Sequence, residues 1–166
     1  MTMEILRHDD LVEIARKWLI DKRRCPLVFT ELGDSVSEIP DAIGWYHTKS
    51  IVIECKTSVS DFKADSRKDH RRLGVGCERY YLTPQGILDP DAIPFGWGLL
   101  EYTGRCVKIR KQTHTRDIKL YDSLQEINLL ISAIRRIGRT APEGISCKAY
   151  YMETKNKATL SVEVRP

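Results

Sequence analysis

Apolar residues first fall in a helical stripe along this chain and then in short continuous runs. Over residues 9 to 24, Leu11, Ile14, Ala15, Trp18 and Leu19 recur on one helical face. Asp9 or Asp10 caps the start, and Glu13 lies opposite the stripe, one turn before Lys17, where water reaches it. Pro26 stops the helix. "LVFTEL" (27 to 32) reads as a first strand, residues 39 to 46 as a second with Pro40 at its start, and 50 to 57 as a third. A second helix is predicted from about Ser60 to Leu73, with Ser58 or Ser60 as N-cap and Gly74 and Gly76 at its end. "CERYYLT" (77 to 83) is another buried strand. After a loop marked by Pro84, Pro90 and Pro94, "WGLLEYTGRCVKIRK" reads as two strands about a Thr103-Gly104 turn. Residues 123 to 139 form an amphipathic helix with Leu124, Ile127, Leu130, Ile131 and Ile134 as its apolar face, and "CKAYYMETKNKATLSVEV" closes as a hairpin.

This order predicts one domain over residues 1–166, α/β or α+β, with a mixed central sheet. Its core spans about 9–110, and a C-terminal extension of helix and hairpin spans about 120–166. A chain of 166 residues, 42% hydrophobic, is long enough to enclose a single core. The net charge of +4 permits a phosphate-rich partner without requiring one. The five cysteines are odd in number, scattered, and never spaced C-x-x-C, which excludes a disulfide framework and a zinc knuckle. Together with an N-terminus that lacks a signal-peptide apolar stretch, they predict reduced thiols in a cytoplasmic protein. No apolar run approaches membrane-spanning length.

The chemistry concentrates in "IVIECKTSVSDF", residues 51 to 62. Side chains alternate along a strand, so Glu54 and Lys56 share one face while Ile53 and Cys55 share the other. If the second and third strands form a hairpin turning near Thr48, paired residue numbers sum to about 96, which puts Asp41 opposite residue 55. Within a residue of register, Asp41 and Glu54 converge at one sheet end, with Lys56 alongside. Two neighbouring carboxylates repel, and a divalent cation relieves the repulsion. Mg²⁺ takes one or two carboxylates and keeps several waters, which suits a site that must also hold phosphate; Mn²⁺ serves equally. The backbone carbonyl of Cys55 is a further oxygen ligand for it. Lys56 is then the charge that orients the water attacking phosphorus. Read without the rest of the chain, Glu54 and Lys56 are simply an intra-strand ion pair.

Pro40-Asp41, a spacer, and Glu54-Cys55-Lys56 resemble the PD-(D/E)XK nuclease signature. The placement of the Asp on a second strand and E-x-K on a third, after an N-terminal helix, resembles that superfamily's restriction-endonuclease-like α-β-β-β-α-β core. Within it the chain is most similar to the MmcB-like DNA repair proteins. Their E-x-K strand is followed by a Ser, an Asp-Phe pair and another Asp, as in Ser58, Asp61-Phe62 and Asp65. Their Cys-Asp-Arg-aromatic strand resembles Cys77-Glu78-Arg79-Tyr80-Tyr81, and a later Gly-Leu segment resembles Gly98-Leu99-Leu100. The resemblance implies a metal-dependent DNA endonuclease, or a nuclease-like repair protein, with Asp41, Glu54 and Lys56 as catalytic residues. Asp41, Glu54 and the Cys55 carbonyl would hold Mg²⁺ or Mn²⁺. Glu31, on the first strand, is either a third acid of that site or a structural charge. Ser58, Arg67, Lys68, Arg71 and Arg72 would meet the nucleic-acid backbone, although such a run is also an ordinary solvated helix face.

Two other readings belong to different classes. One is a catalytically inactive nucleic-acid-binding module that keeps the fold. The other is an assembly protein, for instance from a phage or other mobile element, forming a homo-oligomer through the late helix and hairpin. Retention of both acids and the lysine favours the nuclease.

Overall fold

The computed structural model describes residues 6–30, 39–65, 74–117, 121–137 and 148–151, the last four of the late helix and the final strand by backbone alone. Element order follows the expected helix, three strands, helix, strand. Helix α1 (His8–Asp21) precedes β1 (Leu27–Thr30), β2 (Ala42–Tyr46) and β3 (Lys49–Cys55). Then come α2 (Val59–Asp65), β4 (Glu78–Pro84), a 3₁₀ turn at Pro90–Ala92, β5 (Gly98–Tyr102), β6 (Val107–Lys111), α3 (Ser123–Ile137) and β7 (Lys148–Tyr151). One seven-stranded sheet runs in the order β6-β5-β4-β3-β2-β1-β7. It is mixed: β3, β4 and β5 are parallel, and the remaining neighbours are antiparallel. The fold is therefore α/β with a mixed central sheet. Of the expected terminal hairpin, β7 pairs with β1 and the remainder lies outside the described residues.

Helix α1 begins one residue earlier than its apolar pattern suggests. Asp10 does not cap from the N-cap position; its carboxylate accepts the Arg7 N–H at 2.9 Å from one turn inside the helix. Glu13 is tied to Arg16 by paired hydrogen bonds, with Lys17 beside it. The helix buries Leu11, Val12, Ala15, Trp18 and Leu19 against Val28, Ala42, Ile51, Ile53, Cys55, Tyr80, Leu82 and Leu100. On the opposite sheet face, Phe29, Ile43 and Val52 meet Leu129 and Ala133 of α3, while Tyr81 and Leu99 meet Phe62 of α2 and Trp97. Alternation along β3 thus divides as the pattern requires, with 51, 53 and 55 toward α1 and 52 toward α3. The strands lie close at Gly98, where a Cβ would stand 2.4 Å from the Tyr80 ring and 2.7 Å from the Lys111 carbonyl.

The expected face of α3 is corrected in part: Leu130 packs against the sheet cluster, and the Ile134 side chain lies outside the described residues. Leu124, Ile127 and Ile131 are exposed, Leu124 at 73%, and the inward positions are Glu126, Leu129 and Ala133. Glu126 decides the rotation. Its Oε1 accepts the Ser50 hydroxyl at 2.6 Å and the Gly76 N–H at 2.7 Å, and Ser50 in turn accepts the Cys77 N–H at 2.9 Å. The Arg116 guanidinium closes the same loop by donating to the carbonyls of Gly74, Val75 and Gly76. A buried carboxylate is tolerable here because donors satisfy it. Among the described residues no helix is long and apolar enough to cross a membrane.

Burial holds the Glu126 carboxyl above its ordinary value of 4.5, against the Ser50 and Gly76 donors that pull it down. A folded-state pKa above the unfolded one gives stability that is complete below the unfolded value and is lost as pH rises through the folded value. Glu126→Gln has no such loss, and its amide oxygen still accepts both donors. Between pH 4 and 7 the variant's stability should therefore rise relative to the parent's. Urea denaturation at a series of pH values checks this, and two curves that stay parallel would refute it.

Candidate active site at the ends of the second and third strands

The hairpin of β2 and β3 sets Ala42 opposite Ile53, a sum of 95 rather than 96. One step further places Asp41 opposite Glu54 and a second step places Pro40 opposite Cys55. Asp41 itself leaves the ladder in a bend. Its Oδ2 accepts the Cys55 N–H at 2.7 Å, a bond that the backbone of residue 40 would otherwise make. The adjoining Lys56 N–H points the other way, to the Leu82 carbonyl on β4 at 2.9 Å. Backbone groups alternate sides along a strand, so the Cys55 carbonyl faces the β2 side. Pro40 has no N–H to give it. The proline thus leaves an oxygen acceptor beside the Asp41 carboxylate.

Glu54 and Lys56 lie together on the face away from α1, and both are buried, at 4% and 6% exposure. The Lys56 Nζ sits 3.6 Å from Glu54 Oε2 and 3.6 Å from Asp65 Oδ1, and Asp65 is likewise buried at 4%. An exposed intra-strand pair is therefore not what the chain makes. Helix α2 carries the second carboxylate because Phe62 and Asp65, three residues apart, turn inward together. Ser58 starts that helix. Its hydroxyl accepts the Asp61 N–H at 3.2 Å, and the Asp61 carboxylate reaches back to the Thr57 N–H at 3.4 Å. Ser58, expected at the nucleic-acid interface, is thus occupied as a cap.

Aromatic rings floor this face of the sheet beside the ion triad. Tyr81, paired with Glu54 across the parallel ladder, stacks on Trp97 at 4.3 Å and meets the Phe62 edge at 5.0 Å. The fully buried Arg79 lays its guanidinium over the other part of Trp97, 3.9 Å from the centroid.

His8, at the first turn of α1, completes the surroundings of Asp41. Its Nε2 is 3.3 Å from Asp41 Oδ1, and its side chain is 47% exposed. The hydrogen bond to Asp41 raises the His8 pKa above 6.5, burial opposes it, and Asp41, Lys56 and Asp61 all act through their charge. Cys55 and Cys25 are poor nucleophiles. Complete burial, reinforced by the Asp41 and Glu54 charges, pushes Cys55 well above its ordinary value, and burial takes Cys25 to about 11.

Asp41, Glu54, Lys56 and the Cys55 backbone thus gather at one sheet end. Glu31, Arg67, Lys68, Arg71 and Arg72 lie outside the described residues. Two neighbours were not assigned a role from sequence, His8 and Asp65. His8 carries no spacing signal to Asp41, whereas Asp65 belongs to the pattern that follows Glu54-Cys55-Lys56. Among the described residues no three His, Cys, Asp or Glu side chains form a metal cage. Mg²⁺ needs none: two carboxylates and a carbonyl, with waters completing the shell, are a fitting donor set.

No protein-family model matches the chain, and no curated protein matches it. Among solved structures, a protein of unknown function from Silicibacter pomeroyi superposes with a TM-score of 0.58 at 17% identity, covering 82% of this chain and 91% of its own. The likeness is one of fold.

Removing Lys56 leaves two buried carboxylates facing each other. Lys56→Met should cost roughly 3–5 kcal/mol, the scale for uncovering a buried charge. Adding Asp65→Asn to Lys56→Met should cost less than the two single changes summed, because the second removes a repulsion created by the first. Chemical denaturation of the four proteins checks this; simple additivity would contradict the triad.

Proposed function

We propose that the protein is a metal-dependent nuclease that hydrolyses phosphodiester bonds in DNA, as its resemblance to nuclease-like repair proteins implies. One observation supports the reading: Asp41 binds the Cys55 N–H at the same end of β3 that carries the Glu54–Lys56 pair, and Pro40 has no N–H to offer the Cys55 carbonyl there. That donor set suits a hard divalent cation. Asp41, Glu54 and the Cys55 carbonyl would hold Mg²⁺ or Mn²⁺, which supplies Lewis-acid stabilisation of the charge on a phosphoryl group.

The chain's own residues divide the remaining work. Asp41 is held through Oδ2 by the Cys55 N–H at 2.7 Å, so one of its oxygens is anchored before any ligand arrives. Lys56, between Glu54 and Asp65, offers an ammonium to the attacking water or to a non-bridging phosphate oxygen, where negative charge grows during attack. In a site floored by Tyr81 and Trp97, that interaction is weakened less by solvent than it would be on a surface. Arg105, exposed in the β5–β6 turn at the same end of the parallel strands as Cys55, would be available to a phosphate backbone on this reading. A cytoplasmic location and DNA as the partner follow from this reading.

The test is nicking of supercoiled plasmid and cleavage of branched DNA, with Mg²⁺, Mn²⁺ or EDTA. Cleavage should require metal. Asp41→Asn keeps an oxygen for the Cys55 N–H but loses the charge, and should cut roughly 10²-fold more slowly or worse while remaining folded. Metal-independent cutting, or full activity in Asp41→Asn, would refute the assignment. No cutting together with salt-dependent DNA binding would favour the inactive binding module.

A further inference from the structure

We propose that His8 is a positioning residue of this site, fixing the Asp41 carboxylate and through it the affinity for the divalent cation. The inference rests on the nuclease reading and adds to it a residue from an element that the motif does not include.

Asp41 sits in a bend rather than in the ladder, so the sheet does not orient its side chain. The Cys55 N–H holds Oδ2 at 2.7 Å. A single hydrogen bond fixes one oxygen and leaves the carboxylate plane free to turn about it. The contact from His8 Nε2 to Oδ1, at 3.3 Å, removes that freedom. His8 is suited to the task because its backbone belongs to a packed helix. Leu11, Val12 and Ala15, within two turns of it, are buried against the sheet, and the Arg7 N–H is tied to Asp10. The imidazole therefore reaches Asp41 from a rigid support. Each carboxylate oxygen keeps a second lone pair directed away from its donor, which is what a cation would use. Hydrogen-bond partners behind a ligating group commonly set metal affinity by one to two orders of magnitude.

The alternative is that His8 merely adds an ion pair, half exposed, with a small effect on stability and none on the site. Calorimetric titration with Mn²⁺ at one fixed pH separates the two, using the parent, His8→Ala, His8→Gln and Asp41→Ala, with metal-free thermal unfolding of each. His8→Ala should bind Mn²⁺ about 10- to 100-fold more weakly. His8→Gln, whose amide nitrogen can occupy the place of Nε2 and donate to Oδ1, should recover most of that loss. Metal-free melting should be nearly the same for the parent and both His8 variants.

If His8→Ala binds as the parent does while Asp41→Ala binds poorly, the site stands and the role of His8 is refuted. Equal weakening in both His8 variants with a matching loss of stability would mean a structural role only, and also overturns the proposal. If Asp41→Ala titrates like the parent, the metal site itself is wrong and His8 has nothing to position.

Discussion

A lysine ammonium buried between two carboxylates is the constraint on which this end of the molecule depends. Glu54 from β3 and Asp65 from α2 are both withdrawn from water, and each would be strongly disfavoured there without a counter-charge. Lys56 supplies it to both at once. The arrangement therefore does two things: it fastens α2 to the end of β3, and it holds a lysine side chain at the sheet end where Asp41 binds the Cys55 N–H. A hydrophobic trio would hold the helix equally well. What it would not provide is an oriented ammonium next to an acidic pair.

The tolerance for this triad comes from the sheet around it. β3 lies between the antiparallel β2 and the parallel β4, so its C-terminal end is flanked by a strand that is starting and one that is ending. Pro40 and the bend at Asp41 end the β2 ladder at Ala42, so the Cys55 N–H turns to the Asp41 carboxylate instead of the neighbouring backbone. On the other side Tyr81, Trp97 and Phe62 fill the space under the ion triad. The polar and apolar halves of the site thus come from opposite neighbours of one strand.

Much of this was legible in the sequence, and the limits have physical causes. Alternation along β3 correctly divided Ile53 and Cys55 from Glu54 and Lys56, because a strand's period of two leaves little freedom once one face is apolar. The hairpin register was off by one residue, since turn length is poorly specified by "YHTKS". The face of α3 was read wrongly in part, for a different reason. Glu126 looks like a solvent residue, yet Ser50 and Gly76 satisfy its carboxylate, and it turns Leu124, Ile127 and Ile131 outward. His8 could not be found from spacing, because its partner Asp41 is brought to it only by the packing of α1 on the sheet. Asp61 and Asp65, both named in the resemblance, take different tasks: Asp61 closes the cap of α2 while Asp65 lies beside Lys56.

The central claim is that Asp41, Glu54 and the Cys55 carbonyl surround one divalent cation. Anomalous diffraction from crystals soaked in Mn²⁺ tests it most directly, because manganese scatters anomalously and the protein's light atoms do not. The account predicts a single strong peak within coordinating distance of both carboxylates and the Cys55 oxygen, with Lys56 still held by Asp65. Crystals that take up manganese elsewhere but show no peak between Asp41 and Glu54 would contradict it.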